Sequence, residues 1–167
     1  MDKLRLACEQ LQQLIEEQKK FKEEKLAIRE KCDRRIKEEM NNFCLEMFEI
    51  LEYAKMLINN FSHYGDSIKF SISLSDDEND VLIVNFTREY FDITKNADNE
   101  ILYSSKDDID SHTVPAYEYI VVNKSNILKS IKQNITVYIE NETNTINIDM
   151  SNESKYYDNL CSKLSVY

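Results

Sequence analysis

Glycine and proline are almost missing from this sequence, because Gly65 and Pro115 are the only residues of their kinds among 167. A phosphate-binding glycine loop needs several glycines close together, so this class of nucleotide site is excluded. Turns must be built instead from Asn, Asp and Ser, which tolerate left-handed backbone and bond to their own main chain.

Long apolar runs are also missing. No stretch of 18 apolar residues occurs, so no transmembrane helix is predicted. The first residues, MDKLRLACEQLQQ, are charged and lack the apolar centre of a secretory signal. The cysteines contain no C-x-x-C pair, which favours reduced thiols in an intracellular protein over a disulfide framework or a zinc site. They are Cys8, Cys32, Cys44 and Cys161.

Residues that suggest catalysis are few. His63 and His112 have no Cys, Ser or acidic residue at the spacing of a triad or a metal set. The acidic run Asp76–Asp80 lacks the glycine and the terminal glutamate of a calcium loop, so a solvated turn is predicted. The sequence therefore predicts a protein that is not an enzyme and that holds no metal or cofactor.

Acidic residues outnumber basic ones, and the formal net charge is −10. Residues 1–64 hold 12 basic and 13 acidic residues, whereas residues 65–167 hold 9 and 18. An acidic body repels polyanions, so nucleic acid can be contacted only where basic residues gather on one face. Lys124, Lys129 and Lys132 gather in this way on one predicted helix, and Lys55 lies on an earlier one.

The N-terminal third predicts one long helix, since no glycine or proline interrupts Leu4 to Phe61 and apolar residues recur three and four apart. At about 1.5 Å per residue this segment would extend roughly 90 Å. The first seam, interrupted by Gln18 and Lys25, contains Leu4, Ala7, Leu11, Leu14, Phe21 and Ile28. A second seam contains Ile36, Met40, Phe43, Met47, Ile50, Ala54, Leu57 and Phe61.

A coiled coil over residues 1–44 follows from the first seam, and it would associate with itself or with a partner. The expected oligomerisation residues are Leu4, Leu11, Leu14, Phe21 and Ile28. The step from Ile28 through Cys32 to Ile36 is a stutter. Beyond it the apolar stripe widens, so the coil is expected to become a core helix near residue 40. The alternative is a hairpin of two shorter helices.

After Phe61 the apolar period changes to two, and a helix–strand–strand unit is predicted twice. The first unit is Phe48–Asn60, Ser67–Leu74 and Val81–Phe86. The second is Lys124–Gln133, Ile135–Glu140 and Thr145–Met150. Further strands are predicted at Tyr90–Ile93, Ile101–Tyr103 and Tyr117–Val122, and residues 155–167 would form a short helix or an extended segment. The predicted fold class is α+β, with the N-terminal coiled-coil helix followed by one domain over residues 45–167.

Two stretches resemble the PCNA-type DNA sliding clamps. The first is ILEYAKMLINNF with the following DSIKFSIS and DVLIVNFTREYFD, and the second is YIVVNKSNILKSIKQNITVYIENETNTINIDM. The resemblance covers roughly residues 45–167 and implies one clamp domain of a DNA processivity factor in replication or repair. Its partners would be duplex DNA and a DNA polymerase or other replication protein, in the nucleus or at a viral replication site.

In clamps the helices line a hole that holds duplex DNA. The resemblance therefore implies that four lysines meet phosphates without reading bases. They are Lys55, Lys124, Lys129 and Lys132. One clamp domain cannot close a ring, so the protein would multimerise through its coiled coil. The alternative for each lysine is an exposed residue kept for solubility.

A long coiled coil before a small α+β domain is also similar to the RWD-type kinetochore subunits. Their fold has one sheet flanked by helices, and the resemblance implies docking of a partner peptide at Tyr90–Ile93 and the surrounding sheet. A viral scaffold protein held together by its coiled coil is a third interpretation. The RWD-type interpretation has no role for DNA.

Overall fold

The structure is a computed structural model that describes residues 1–78, 80–95, 100–104 and 114–166. Helix α1 (Asp2–Asn60) comes first, and a 3-10 turn at Ser62–Tyr64 follows it. Four strands come next, and two helices close the chain. The strands are β1 (Ser67–Ser73), β2 (Val81–Thr87), β3 (Phe91–Lys95) and β4 (Glu100–Ser104). The helices are α2 (Val114–Val122) and α3 (Lys124–Leu164). The predicted α+β class is confirmed.

Helix α1 runs for 59 residues without a break, so the predicted single long helix is confirmed and the helical hairpin is wrong. It ends where Phe61 takes an extended backbone (φ −133°, ψ 112°). The chain then reverses through Gly65, whose φ of 67° favours a residue without a side chain. Burial along α1 begins at Ile36. The predicted division of the chain at residue 44 stays a prediction.

The four strands form one antiparallel sheet in the order β1-β2-β3-β4. Its register pairs Phe70 with Val84 and Val84 with Ile93. In β1 the apolar side chains Ile68, Phe70 and Ile72 are buried, while the alternate polar positions are exposed. The predicted strands at residues 67–74, 81–86, 90–93 and 101–103 are therefore confirmed to within a residue or two.

All three helices cover the same face of this sheet. Helix α1 packs on β2, α3 lies beside β1, and α2 lies beside β4. The core between the two layers is apolar, and its largest fully buried side chains are Phe43, Phe86, Phe91, Met40, Met47, Leu57, Leu82, Ile93, Ile120, Ile127, Ile131 and Val84.

The predicted hairpin Ile135–Glu140 to Thr145–Met150 is wrong, because both segments belong to α3. Ile135 continues the buried helical stripe of Ile127, Leu128 and Ile131, so burial favours the helical period over the strand period. Threonines, which favour strands, are accommodated because their hydroxyls donate to the carbonyl four residues earlier. These bonds are Thr136 to Lys132, Thr143 to Ile139 and Thr145 to Asn141, at 2.7–3.0 Å. The chain therefore lacks the second helix–strand–strand unit.

The predicted strand Tyr117–Val122 is also wrong, since these residues belong to α2. Pro115 is the second residue of this helix, where a backbone amide has no intrahelical acceptor to lose. Asn123 separates α2 from α3, and its side-chain amide donates to the carbonyl of Tyr119 at 2.8 Å. In the sequence this short helix resembles an apolar strand, because its last residues (YIVV) show no helical period.

Candidate interaction surfaces

Helices α1 and α3 run side by side in the same direction. Lys124 contacts Glu39, Lys132 contacts Glu46, and Glu142 contacts the 3-10 turn that follows α1. Residues later in α3 therefore contact residues later in the chain around α1. Because the helices are parallel, α1 extends past the domain at one end and α3 extends past it at the opposite end.

The N-terminal arm, residues 2–35 of α1, is a helix about 50 Å long. Every residue in it is exposed except the half-buried Asp33. One ion pair ties its last turns to the domain, where Arg29 Nη1 lies 3.0 Å from Glu118 Oε1 on α2. At the end of the arm, Arg35 pairs along the same helix with Glu38 and Glu39.

Apolar side chains are exposed along this arm. The predicted oligomerisation residues Leu4, Leu11, Leu14, Phe21 and Ile28 are each more than half exposed. They recur at heptad positions, so they form one stripe along the helix, and Leu6, Ile15 and Leu26 add exposed apolar area beside it. A monomer rarely keeps so long an apolar surface in water, so the stripe is a candidate interface.

The C-terminal arm, residues 143–164 of α3, is a second exposed helix, about 33 Å long. Its residues are exposed except the half-buried Cys161. It is rich in Asn, Thr and Ser, which are weak helix formers. Its apolar side chains Ile146, Met150, Tyr157, Leu160 and Leu164 continue the side of α3 that carries Ile135. This stripe is interrupted by Asp149 and Glu153 and is weaker than that of the N-terminal arm.

Two of the predicted DNA-binding lysines are bound to carboxylates of α1. Lys124 Nζ donates to Glu39 Oε2 at 3.0 Å, and both side chains are only about one-fifth exposed. This hydrogen bond, then the positive charges of Lys124 and Arg35, hold the pKa of Glu39 below its ordinary value. Lys132 Nζ lies 3.4 Å from Glu46 Oε2 in a more exposed pair. These two ion pairs connect α3 to α1, and the glutamates partly neutralise the positive charge of both lysines.

The other two lysines lie elsewhere. Lys129 is exposed on α3, and Lys55 is half-buried on α1. Lys55 follows Glu46 by nine residues, which places it roughly half a turn around α1 from the side that Lys132 contacts. The structure therefore does not bring the four lysines together on one face. Their DNA-binding role stays a prediction.

The sheet offers little to a peptide at the segment Tyr90–Ile93. Phe91 and Ile93 are fully buried against the helices. Their neighbour Asp92 faces the other way, where its carboxylate accepts a hydrogen bond from Asn85 at 3.3 Å. The open face of β1 carries Lys69, Ser71 and Ser73. Docking on the sheet would therefore involve its polar outer face.

Two tyrosines that were not predicted as functional residues connect separate segments of the domain through hydrogen bonds. Tyr64 donates to Glu142 Oε1 at 2.9 Å, and His63 Nε2 lies 2.7 Å from the same oxygen. Burial, then the bond to Glu142, raises the pKa of Tyr64 to about 12. Tyr119 donates to Asp80 Oδ1 at 2.6 Å, which lowers the pKa of Asp80, while burial raises the pKa of Tyr119 to about 12.

A shallow cleft of about 390 Å³ lies between α1 and α3. Its floor is apolar, with Ile50, Ile135 and Ile139, and Glu46 and Glu49 stand among its lining residues. Neither a cysteine nor a histidine lines it. Within the described ranges, no three His, Cys, Asp or Glu side chains converge as metal ligands would. The cleft can accept an apolar side chain.

No protein-family model, curated protein or solved structure matches this chain. None of the helices in the described ranges has both the length and the apolar character of a membrane span.

Proposed function

We propose that this protein is a non-enzymatic interaction subunit that associates through its N-terminal arm and presents the α+β domain to other proteins. The observation that supports the proposal is the stripe of exposed apolar side chains along residues 4–28, in the part of α1 that the domain does not cover. Four heptads of such a stripe are enough for a stable coiled coil.

The stability of the arm supports the same conclusion. An isolated helix gains little from its own hydrogen bonds, and most helices in proteins depend on the packing of an apolar face. Here the domain covers α1 only from Ile36 onwards. A second helix against the arm would supply the missing packing.

The architecture supports an RWD-like interaction domain over a clamp. One sheet with helices packed on it is what the RWD resemblance implies, whereas the clamp resemblance requires a second helix–strand–strand unit. In the same way, Lys124 and Lys132 are engaged by Glu39 and Glu46, which reduces the charge they could offer to phosphates. A coiled-coil subunit that acts by protein–protein contacts is therefore the preferred proposal.

The test is the mass of the protein in solution. We expect the wild-type chain to form an assembly larger than its 19.8 kDa monomer in light scattering. Replacing Leu11 and Leu14 together by Glu should raise the dissociation constant at least about a hundredfold. Each buried leucine contributes roughly 2 kcal/mol, and each copy in the assembly loses both.

The matched control replaces the neighbouring Gln12 and Gln13 by Glu. These positions add the same charge to the same turn but lie off the stripe, so the assembly should persist. A wild-type protein that remains monomeric at high concentration, or a Leu11/Leu14 variant that associates as the wild type does, would contradict the proposal.

A further inference from the structure

We propose that the N-terminal arm binds a second copy of this chain, with the two helices parallel and in register over residues 4–32. This inference rests on the proposed function, since it names the partner of the same surface and its orientation.

In the parallel arrangement each seam residue faces its own copy. Leu11 then meets Leu11 and Phe21 meets Phe21, while the polar Gln18 meets another Gln18 with which it can form a hydrogen bond. Lys25 meets Lys25, and its long side chain lets the ammonium extend out of the seam into water. Polar residues are thus matched with polar residues, and apolar ones with apolar ones.

The antiparallel arrangement that overlaps the same residues mixes the two kinds. Gln18 then packs on Leu14, and Lys25 packs on Ala7. The Gln18 amide packed against Leu14 loses its hydrogen bonds to water and gains none. One such layer occurs on each side of the centre, so Gln18 favours the parallel alignment.

The charges beside the seam also favour the parallel alignment. When seam residues occupy heptad positions a and d, Glu17 is a g position and Lys22 is the e position that follows it. In a parallel pair these residues face each other across the interface, twice by symmetry, and attract. In the antiparallel pair Glu17 faces Glu17. Glu24 and Arg29 occupy equivalent g and e positions, but Arg29 already binds Asp33 and Glu118 of its own chain.

The coil has a defined end. The step of four from Ile28 to Cys32 and again to Ile36 shifts the apolar stripe, and Ile36 is the first buried residue of α1. From there the stripe is covered by the chain's own domain. Cys32 is exposed and is therefore the last seam position open to the second copy.

Cys32 provides a native probe of the alignment. Helix axes in a coil lie roughly 8–10 Å apart and Cα atoms lie about 2.3 Å from each axis, so facing a positions are roughly 3.4–5.4 Å apart. A disulfide needs a Cα separation of roughly 4.4–6.8 Å. Only the parallel, in-register alignment places Cys32 within this range of its own copy along a seam that also overlaps from Leu4.

The experiment oxidises the full-length protein with copper phenanthroline and maps the disulfides by peptide mass spectrometry. We expect a covalent dimer linked Cys32 to Cys32, which a reducing agent dissolves. The Cys32→Ser variant should lose this dimer, and the matched Cys8→Ser variant should keep it. A Cys8–Cys32 link, or a dimer in light scattering that forms no Cys32–Cys32 link, would overturn the alignment and leave the proposed association standing.

A charge exchange tests the same alignment without cysteine chemistry. Glu17→Lys and Lys22→Glu should each raise the dissociation constant at least about fivefold, because attraction becomes repulsion at two symmetric places. The double exchange should return the constant to within about twofold of wild type. Absence of this rescue would overturn the parallel alignment. A chain that is monomeric under all these conditions would overturn both the alignment and the proposed function.

Discussion

At the scale of single residues, two phenols join segments that lie far apart in the sequence. Tyr64 connects the end of α1 to Glu142 of α3, and Tyr119 connects α2 to Asp80 in the loop after β1. Lys95 also lies over the Tyr119 ring, 5.4 Å from its centroid. Both phenols are held in the protonated form by burial and by a carboxylate acceptor.

These bonds predict a loss of stability at alkaline pH. In the unfolded chain tyrosines lose their protons near pH 10, whereas Tyr64 and Tyr119 keep theirs until about pH 12 in the fold. Between these values the folded state binds more protons than the unfolded state, so the free energy of unfolding falls as the pH rises. Below about pH 10 both tyrosines are protonated in the folded and in the unfolded chain, so their stabilisation of the fold is fully present.

Urea unfolding between about pH 9 and 12 measures this effect. The Tyr64→Phe/Tyr119→Phe double variant should show a shallower decline than the wild type, since it has no phenol proton to lose at these sites. Tyr156→Phe, in the exposed C-terminal arm, is the control and should decline like the wild type. An equally steep decline in the double variant would show that other groups cause it.

A second prediction at this scale concerns two phenylalanines of α1. Phe43 is fully buried, whereas Phe48 is 42% exposed and touches the edge of Phe91 with a centroid distance of 5.4 Å. Phe43→Ala should lower the free energy of unfolding by about 3–5 kcal/mol, because it removes packing and leaves a cavity. Phe48→Ala should lower the free energy of unfolding by less than half as much as Phe43→Ala.

Denaturant unfolding of both variants at one protein concentration tests this difference. The same substitution on the same helix is compared, so helix propensity cancels between the two. Equal losses would mean that Phe43 does not occupy the centre of the core.

At the scale of elements, α3 changes its environment along its length. Its first part is buried through Ile127, Leu128, Ile131 and Ile135, whereas residues 143–166 are exposed except the half-buried Cys161. The sequence predicts a helix over the first part, because there the apolar period is clear, and it leaves residues 155–167 as a short helix or an extended segment. In the second part Ile146, Ile148 and Met150 alternate as in a strand, and no buried face corrects that pattern.

Truncation separates these two parts. A chain that ends after Thr143 should unfold with a free energy within about 0.5 kcal/mol of the full-length protein, because the removed arm is exposed except at the half-buried Cys161. A chain that ends after Gln133 should lose at least about 2 kcal/mol, since it lacks Ile135 and the Tyr64–Glu142 bond.

Thermal and urea unfolding of the two truncated chains give the comparison. A large loss on removing residues 144–167 would place the C-terminal arm against the domain and contradict the exposed position of its side chains. It would also make that arm, rather than the N-terminal one, the first surface to study.

At the scale of the whole molecule, the two arms extend from opposite ends of the domain. A parallel pair of N-terminal arms would place both domains at the same end of the coil, with both C-terminal arms beyond them. The sheet face opposite the helices would remain accessible, with polar side chains such as Lys69 and Ser71 on β1. Such a molecule can hold two copies of one domain in a fixed arrangement toward a third partner.

Much of this organisation follows from the sequence alone. The absence of glycine and proline before Phe61 and the regular seam determine α1, and the strict alternation of Ile68, Phe70 and Ile72 determines β1. These patterns are local, since each residue needs only its neighbours along the chain to define the period. The exposed seam at Leu11 and Leu14 follows from the same pattern, so the candidate interface was predictable.

The tertiary structure decided the rest. Residues 135–140 have strand-forming side chains, and the packing of Ile131 and Ile135 against the domain favours the helix over the predicted strand there. Lys124 and Lys132 form a basic stretch in the sequence, and only the placement of α3 beside α1 gives them Glu39 and Glu46 as partners. Local periodicity cannot predict the two ion pairs, because each lysine and its glutamate lie about 85 positions apart in the chain.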